Sequence, residues 1–443
     1  MKLKKTDKMK TIKQISKILL AAIIVITSLN YSNAQERKES FEQTYKLNKT
    51  GDFSFSCYDT DLKINTWDKD EVKLTGEIII DGGKEDDQEK LIKIFKNPKV
   101  SESANSLEIE TNLAKNTIII GPFKKITLVD GQTIRVNKYK AKYELWMPKS
   151  AALHLKSKYN NIEIANLTAK AEFKLYEVDL TLASFKKGTF DMKYSSADIG
   201  TGETARFDVY ECKLEIKNIK TFSANSKYST FNVENTQMIA VGSYEDKFHI
   251  NTLTEGLTGT AKYSNFIIKG NTQKIKLDVY ESDVDAKNIT ELEYNSKYST
   301  VKALDINTLK CGNLYETNIY ASNVGSISCL ESKYDKFHFT SISKSIDFES
   351  AYETTIKIEK TLPTLESFTG NFKYGSVKLP LNSALEFNLD FKINYGDVDF
   401  PKGRVKVNNM DKDGSKYLFS GSTTENAKCK IKFEAYETNF DLE

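Results

Sequence analysis

Histidine, tryptophan, proline and cysteine are all scarce in this 443-residue chain, which holds three His, two Trp, six Pro and five Cys. The three His (His154, His249, His338) show no metal-ligand spacing and read as surface residues, so a histidine metal centre is not expected. Six Pro and 21 Gly, set beside 24 Phe and 23 Tyr, exclude collagen-like, low-complexity and disordered classes. No Gly-rich phosphate loop, Gly-x-Ser-x-Gly elbow or calcium-binding nonapeptide is present. Asp283 and Asp285 beside Glu281 offer too few oxygens for calcium and read as a solvated acidic strand. No metal or cofactor is expected.

Long hydrophobic runs are also missing. The one apolar stretch, Ile18 to Ile26, follows a basic segment ending at Lys17 and precedes Ser32-Asn33-Ala34. It falls short of the roughly 20 apolar residues that a spanning helix needs, so residues 1–34 read as a signal peptide cleaved after Ala34, and no membrane span is expected in the mature chain. That segment has seven Lys and one Asp, and its loss turns a formal net charge of +3 into −3. A faintly acidic, well-mixed surface excludes a nucleic-acid partner on electrostatic grounds. The expected location is extracytoplasmic, periplasmic or secreted.

What the chain has in abundance is tyrosine at regular spacing. Lys-Tyr recurs at Tyr159, Tyr194, Tyr228, Tyr263, Tyr298, Tyr334 and Tyr374, and Tyr-Glu at Tyr176, Tyr210, Tyr244, Tyr280, Tyr315, Tyr352 and Tyr436, with Tyr395-Gly396 a degenerate member. The steps from Tyr159 to Tyr352 range from 16 to 19 and average 17 or 18. Between them apolar and polar residues alternate with the strand period of two, as in Cys212-Lys213-Leu214-Glu215-Ile216. The spacing predicts an all-β fold, a parallel β-solenoid with one 17- or 18-residue coil per Tyr; a 35-residue coil of two units is the alternative.

The apolar phase slips by one residue beside each Tyr, which predicts a bend there with the ring facing inward. The structural Tyr column is therefore Tyr159, Tyr176, Tyr194, Tyr210, Tyr228, Tyr244, Tyr263, Tyr280, Tyr298, Tyr315, Tyr334 and Tyr352. A second corner is expected at Asn166, Asn218, Asn235, Asn251, Asn271, Asn288, Asn307 and Asn323, because Asn tolerates the left-handed conformation. Alternating Lys and Glu beside successive Tyr predict a ladder of alternating sign running Lys158, Glu177, Lys193, Glu211, Lys227, Glu245, Lys262 and Glu281. Cys311 and Cys329, 18 residues apart at equivalent phase, should stack on adjacent coils, within reach of a disulfide or as two reduced thiols in line. Cys57, Cys212 and Cys429 read as small buried hydrophobes.

Residues 35–150 read as a β-rich capping region ahead of the repeat domain 151–443, although Tyr58, Leu62, Ile64 and Asn65 already match a repeat unit. Residues 85–97 predict an amphipathic helix with an acidic first turn, and Val129-Asp130-Gly131-Gln132 predicts a hairpin turn. Pro148 marks the point where strand pairing breaks.

Taken in order, the exported N-terminus, the run Asp61-Leu62-Lys63-Ile64-Asn65-Thr66-Trp67-Asp68, the strand ending Met147-Pro148-Lys149 and the serial strands from Lys158 resemble the bacterial family called putative adhesins, related to the head (GIN) domain of autotransporter adhesins. The resemblance spans roughly residues 50–443. It implies a right-handed parallel β-helix. With no catalytic constellation in the chain, the expected function is a non-enzymatic adhesive scaffold whose partner is a surface glycan or envelope protein. Lys-Tyr and Tyr-Glu stand where the family usually has Gly-Asp corners; Tyr395-Gly396-Asp397-Val398 alone keeps that form. The alternatives from other classes are a polysaccharide-acting β-helix enzyme, disfavoured because the acids are scattered, and an envelope sensor or assembly protein.

Overall fold

The computed structural model describes residues 36–443 apart from Ala104 and Pro122; the export segment and its cleavage point lie outside the described residues. The chain is a β-solenoid of 17- or 18-residue coils, one coil per tyrosine. Successive coils such as Lys213–Lys227 and Thr230–Tyr244 pair in parallel, residue opposite residue. Strand alternation drives this: Phe231, Val233, Ile239 and Val241 are buried while their neighbours face water. Rings stack along the interior, as between Phe231 and Phe248 (4.7 Å) and Phe248 and Phe266 (5.0 Å).

Each coil turns at one residue with positive φ. Sixteen non-glycine residues do so, among them Tyr194 (53°), Glu211 (50°), Tyr228 (57°) and Glu245 (54°). A left-handed Tyr or Glu is strained, so something at the corner must over-determine it. The amides of most corner residues donate to the next coil, for example Tyr194 N to Tyr210 O and Glu211 N to Lys227 O, both 3.0 Å. Immediately after the corner comes a buried column of small polar residues, including Ser229, Asp246, Ser264, Ser282, Ser299 and Thr317. The Ser282 hydroxyl donates to Tyr280 O (2.9 Å) and accepts from the amide of Ser264 (3.0 Å). That pattern repeats through Ser299, Ser264 and Ser229, so side chains supply the acceptors that the bent backbone cannot.

The corner geometry corrects three sequence expectations. The tyrosines form one continuous column, but it faces outward: Tyr159, Tyr194, Tyr228, Tyr263, Tyr298 and Tyr334 are 40–51% exposed, and Tyr176, Tyr210, Tyr244, Tyr280, Tyr315 and Tyr352 are half-buried. A left-handed residue reverses the side to which the following side chains point, so the slip in phase marks an outward ring. The Lys–Glu ladder is not formed either. Lys193 lies opposite Tyr210, Tyr210 opposite Lys227 and Lys227 opposite Tyr244, so Lys alternates with Tyr in one column and Tyr with Glu in the next. Finally, no Asn has positive φ among the described residues. Asn218 and Asn235 instead bond side chain to side chain (2.9 Å), as Asn323 does with Asp305 (2.7 Å), while Asn251 and Asn307 fall off that register.

Both ends depart from chain order. The strands Asp52–Tyr58 and Asp61–Trp67 form a coil lodged between Ser106–Glu110 with Lys138–Pro148 on one side and Ala152–Asn166 on the other. The solenoid thus begins inside the N-terminal region. At the far end Cys429–Tyr436 and Asn439–Asp441 slot between Ser367–Lys373 with Ser376–Lys378 and Phe387–Asn394 with Val398–Asp399. In space, therefore, the last three corners read Tyr374, Glu437, Tyr395, and the Tyr/acid alternation runs unbroken from Asp59.

The helix α1 (Glu85–Lys96) is present, burying Leu91, Ile92 and Phe95, with Phe95 stacked on Tyr143 at 5.3 Å. The turn at Gly131 (φ 91°) joins antiparallel strands Phe123–Leu128 and Thr133–Val136. The outermost strands, Arg37–Lys46 and Lys406–Asp413, are rich in charge, which guards them against pairing with other chains.

Candidate functional site

The outward column is the most extensive regular surface feature of the solenoid. Fifteen tyrosines from Tyr159 to Tyr395 meet edge to face through fourteen successive contacts, with centroids 5.3–5.7 Å apart. Each contact is worth about 0.5–1.5 kcal/mol beyond the area it buries, so the column stiffens the corner it decorates. Lysines are set between the rings: Lys158 Nζ lies 5.5 Å from the Tyr58 centroid and 5.6 Å from that of Tyr176, and Lys227 Nζ 6.0 Å from that of Tyr244. Like charges in a column are thereby two strand spacings apart, about 9.6 Å, close to the screening length at physiological salt.

Beside the column runs a trough of about 710 Å3 along six coils. Its floor carries Asn225, Gly242, Thr260, Asp278, Asn295 and Asn313, and its wall is Lys227, Tyr244, Lys262, Tyr280 and Lys297. A second trough of the same size continues these columns at Lys333, Tyr352, Asn371, Lys373, Asn394 and Tyr436. The phenols of Tyr210 and Tyr280 are held above their usual range, first by hydrogen bonding to Glu211 and Glu281 and then by burial, so the rings stay neutral.

On another face a hollow of about 670 Å3 gathers His249 with Asp198, Glu215, Glu234, Lys217 and Lys269. Burial pushes the Glu215 carboxyl up, yet Lys213 (2.9 Å) and Asn232 (2.9 Å) together outweigh it and hold the group below the carboxylate range. An ionised carboxylate of that kind is not a proton donor at neutral pH. His154 contacts Glu172 (2.9 Å) and His338 contacts Glu359 (3.3 Å), each as a surface pair. Asp283 accepts from the Thr300 amide (2.9 Å), and among the described residues no group of three His, Cys, Asp or Glu is placed to hold a metal ion. None of the helices among the described residues is long and apolar enough to cross a membrane.

Cys311 and Cys329 lie directly opposite each other on adjacent coils, both buried and both free thiols. Their mutual hydrogen bond and burial raise the Cys311 thiol well above its ordinary range. Cys57, Cys212 and Cys429 are buried and free as well.

Sequence reasoning located the tyrosines but missed the trough. Its floor is a column of small and polar residues three before each corner, a signal visible only once the coils are aligned on the corner residue. No family model matches the chain, and no curated protein matches it. Among solved structures it is similar to a putative cell adhesion protein from Clostridium sporogenes, at 10% identity and a TM-score of 0.18, over 92% of this chain and 99% of that one.

Proposed function

We propose that the chain is an exported, non-enzymatic scaffold that adheres to a surface polymer or protein through its tyrosine–lysine face. The observation that carries this reading is the outward column itself. A solenoid needs only apolar residues inside its corners, whereas here large aromatic rings alternating with lysines stand in solvent along nearly the whole rod. Exposed aromatic surface of this extent is the kind that binding sites use. The trough alongside is open along its length and shaped for an extended ligand. The resemblance to the adhesin family agrees with it, as does the basic, apolar leader at residues 1–34. Retention of the purified chain on glycan arrays and on bacterial surface extracts tests the reading. Specific retention that falls when exposed ring positions are changed (Tyr194→Ser with Tyr263→Ser) is expected, and retention on neither support overturns it.

A further inference from the structure

We propose that the trough from Asn225 to Asn313 binds a linear acidic polysaccharide lying parallel to the solenoid axis; this rests on the adhesive reading and names the ligand class. Three observations converge on it. The first is charge. The trough is lined by Lys227, Lys262 and Lys297 against one acid, Asp278, and none of the three lysines makes an ion pair among the described residues, although many other surface lysines do. Three exposed ammonium groups in a row at two-coil intervals suit a polymer with regularly recurring carboxylates.

The second is the floor. Gly242 has no positive φ, and a Cβ built on it would meet only Asn225 Oδ1 at 3.8 Å. Nothing within the fold requires glycine there, unlike Gly259 (φ 138°) on the next coil, whose Cβ would strike Val241 O at 1.9 Å. A glycine that the fold does not need, at the bottom of an open trough, lets a ligand approach the backbone.

The third is the polymer type. Every strand of the trough is paired on both sides, so no free backbone edge is available to bind a peptide by strand addition. Recognition falls to side chains repeating once per coil: amide, hydroxyl and carboxylate groups on the floor, ring surfaces and ammonium groups on the wall. Such a set suits sugar rings, with hydroxyls facing the floor and carboxylates facing the lysines. The six coils span about 24 Å at the strand spacing.

Binding of polygalacturonate, and of oligogalacturonates of increasing length, to the purified full chain is measured by calorimetry or affinity electrophoresis. Affinity is expected to rise with length until the oligomer spans the trough, and to fall with salt. Combining Lys227→Gln, Lys262→Gln and Lys297→Gln should weaken binding roughly tenfold, at about 0.5 kcal/mol per exposed pair. The same change on another face (Lys217→Gln, Lys287→Gln, Lys302→Gln) should leave it unaltered. Gly242→Leu, at a position with room for a Cβ and no positive φ, should block binding while the melting temperature holds. Equal binding of polyglutamate overturns the saccharide assignment, and equal binding of the carboxyl-reduced polymer overturns the acidic one. Equal loss from both lysine sets overturns the location. Retention on surface extracts without polygalacturonate binding overturns this inference and leaves the adhesive reading standing; retention on neither removes both.

Discussion

Asp335 should make the solenoid less stable as the pH rises from about 4 to 6. Its carboxyl is 1% exposed and takes hydrogen bonds from Ser332 Oγ (2.6 Å) and the Thr317 amide (2.7 Å), with no cation beside it. Burial is the largest influence and pushes its pKa from 3.8 to about 6. A folded value above the unfolded one means that the native state holds the proton more tightly. Well below 3.8 both states are protonated and the group carries no penalty. Between 4 and 6 the unfolded chain releases its proton first, and stability falls. Above 6 the full cost applies, about 3 kcal/mol at 1.36 kcal/mol per pH unit. Asp335→Asn keeps an acceptor for the Thr317 amide and removes the titration. Urea unfolding of both proteins at pH 4, 5, 6 and 7 isolates the effect, because the other carboxylates cancel in the difference. The variant should gain on the wild type by up to about 3 kcal/mol between pH 4 and 7. A difference that does not change with pH, or that changes in the other direction, would refute the reasoning that desolvation outweighs the hydrogen bonds.

Other outcomes follow from the same geometry. Ser282→Ala strands the Ser264 amide and should cost about 1–3 kcal/mol in thermal or denaturant unfolding, whereas Ser282→Thr should restore most of it, as Thr317 and Thr354 occupy the same column. Tyr228→Glu removes two ring contacts, at 5.5 and 5.7 Å, and places three acids in succession with Glu211 and Glu245; a loss of about 1–3 kcal/mol is expected, and an unchanged melting temperature would show that the column is energetically idle. Under an oxidising thiol couple, peptide mapping should find Cys311 bonded to Cys329 and no other intramolecular pair, since they alone share a register position; a different pairing would contradict the coil alignment.

Coil length and strand class were legible because they are periodic and local: the Tyr spacing and the alternation around Leu214 and Phe231 contain both. The orientation of the rings was not. Alternation on either side of Tyr210 is compatible with an inward ring or with a left-handed corner, and only the backbone angle at Glu211 separates them. Irregular Tyr steps of 16 to 19 have the same origin, because the corner falls on Tyr in one coil and on the residue after it in the next. Tyr395-Gly396 looked degenerate in sequence but caps the Tyr column in space, where it neighbours Tyr436 at 5.5 Å. The interleaved ends were invisible for a simpler reason. Pairing Lys158 with Tyr58 joins residues 100 apart, and no local pattern encodes a contact across so long an insertion.

That interleaving governs how the rod bears load. In a solenoid whose coils follow chain order, a pull on either terminus peels the outermost coil, breaking one ladder at a time. Here the strand leading to Glu443 is gripped on both flanks, by Ser367–Lys373 and by Phe387–Asn394, so tension at the C-terminus must tear two ladders together before any coil is released. The coil at Asp52–Tyr58 is clamped in the same way at the other end, between Ser106–Glu110 and Ala152–Asn166. The last strand is thus wedged into the body of the rod and unravelling cannot start from it, whereas Arg37–Lys46 at the other end is held by a single ladder.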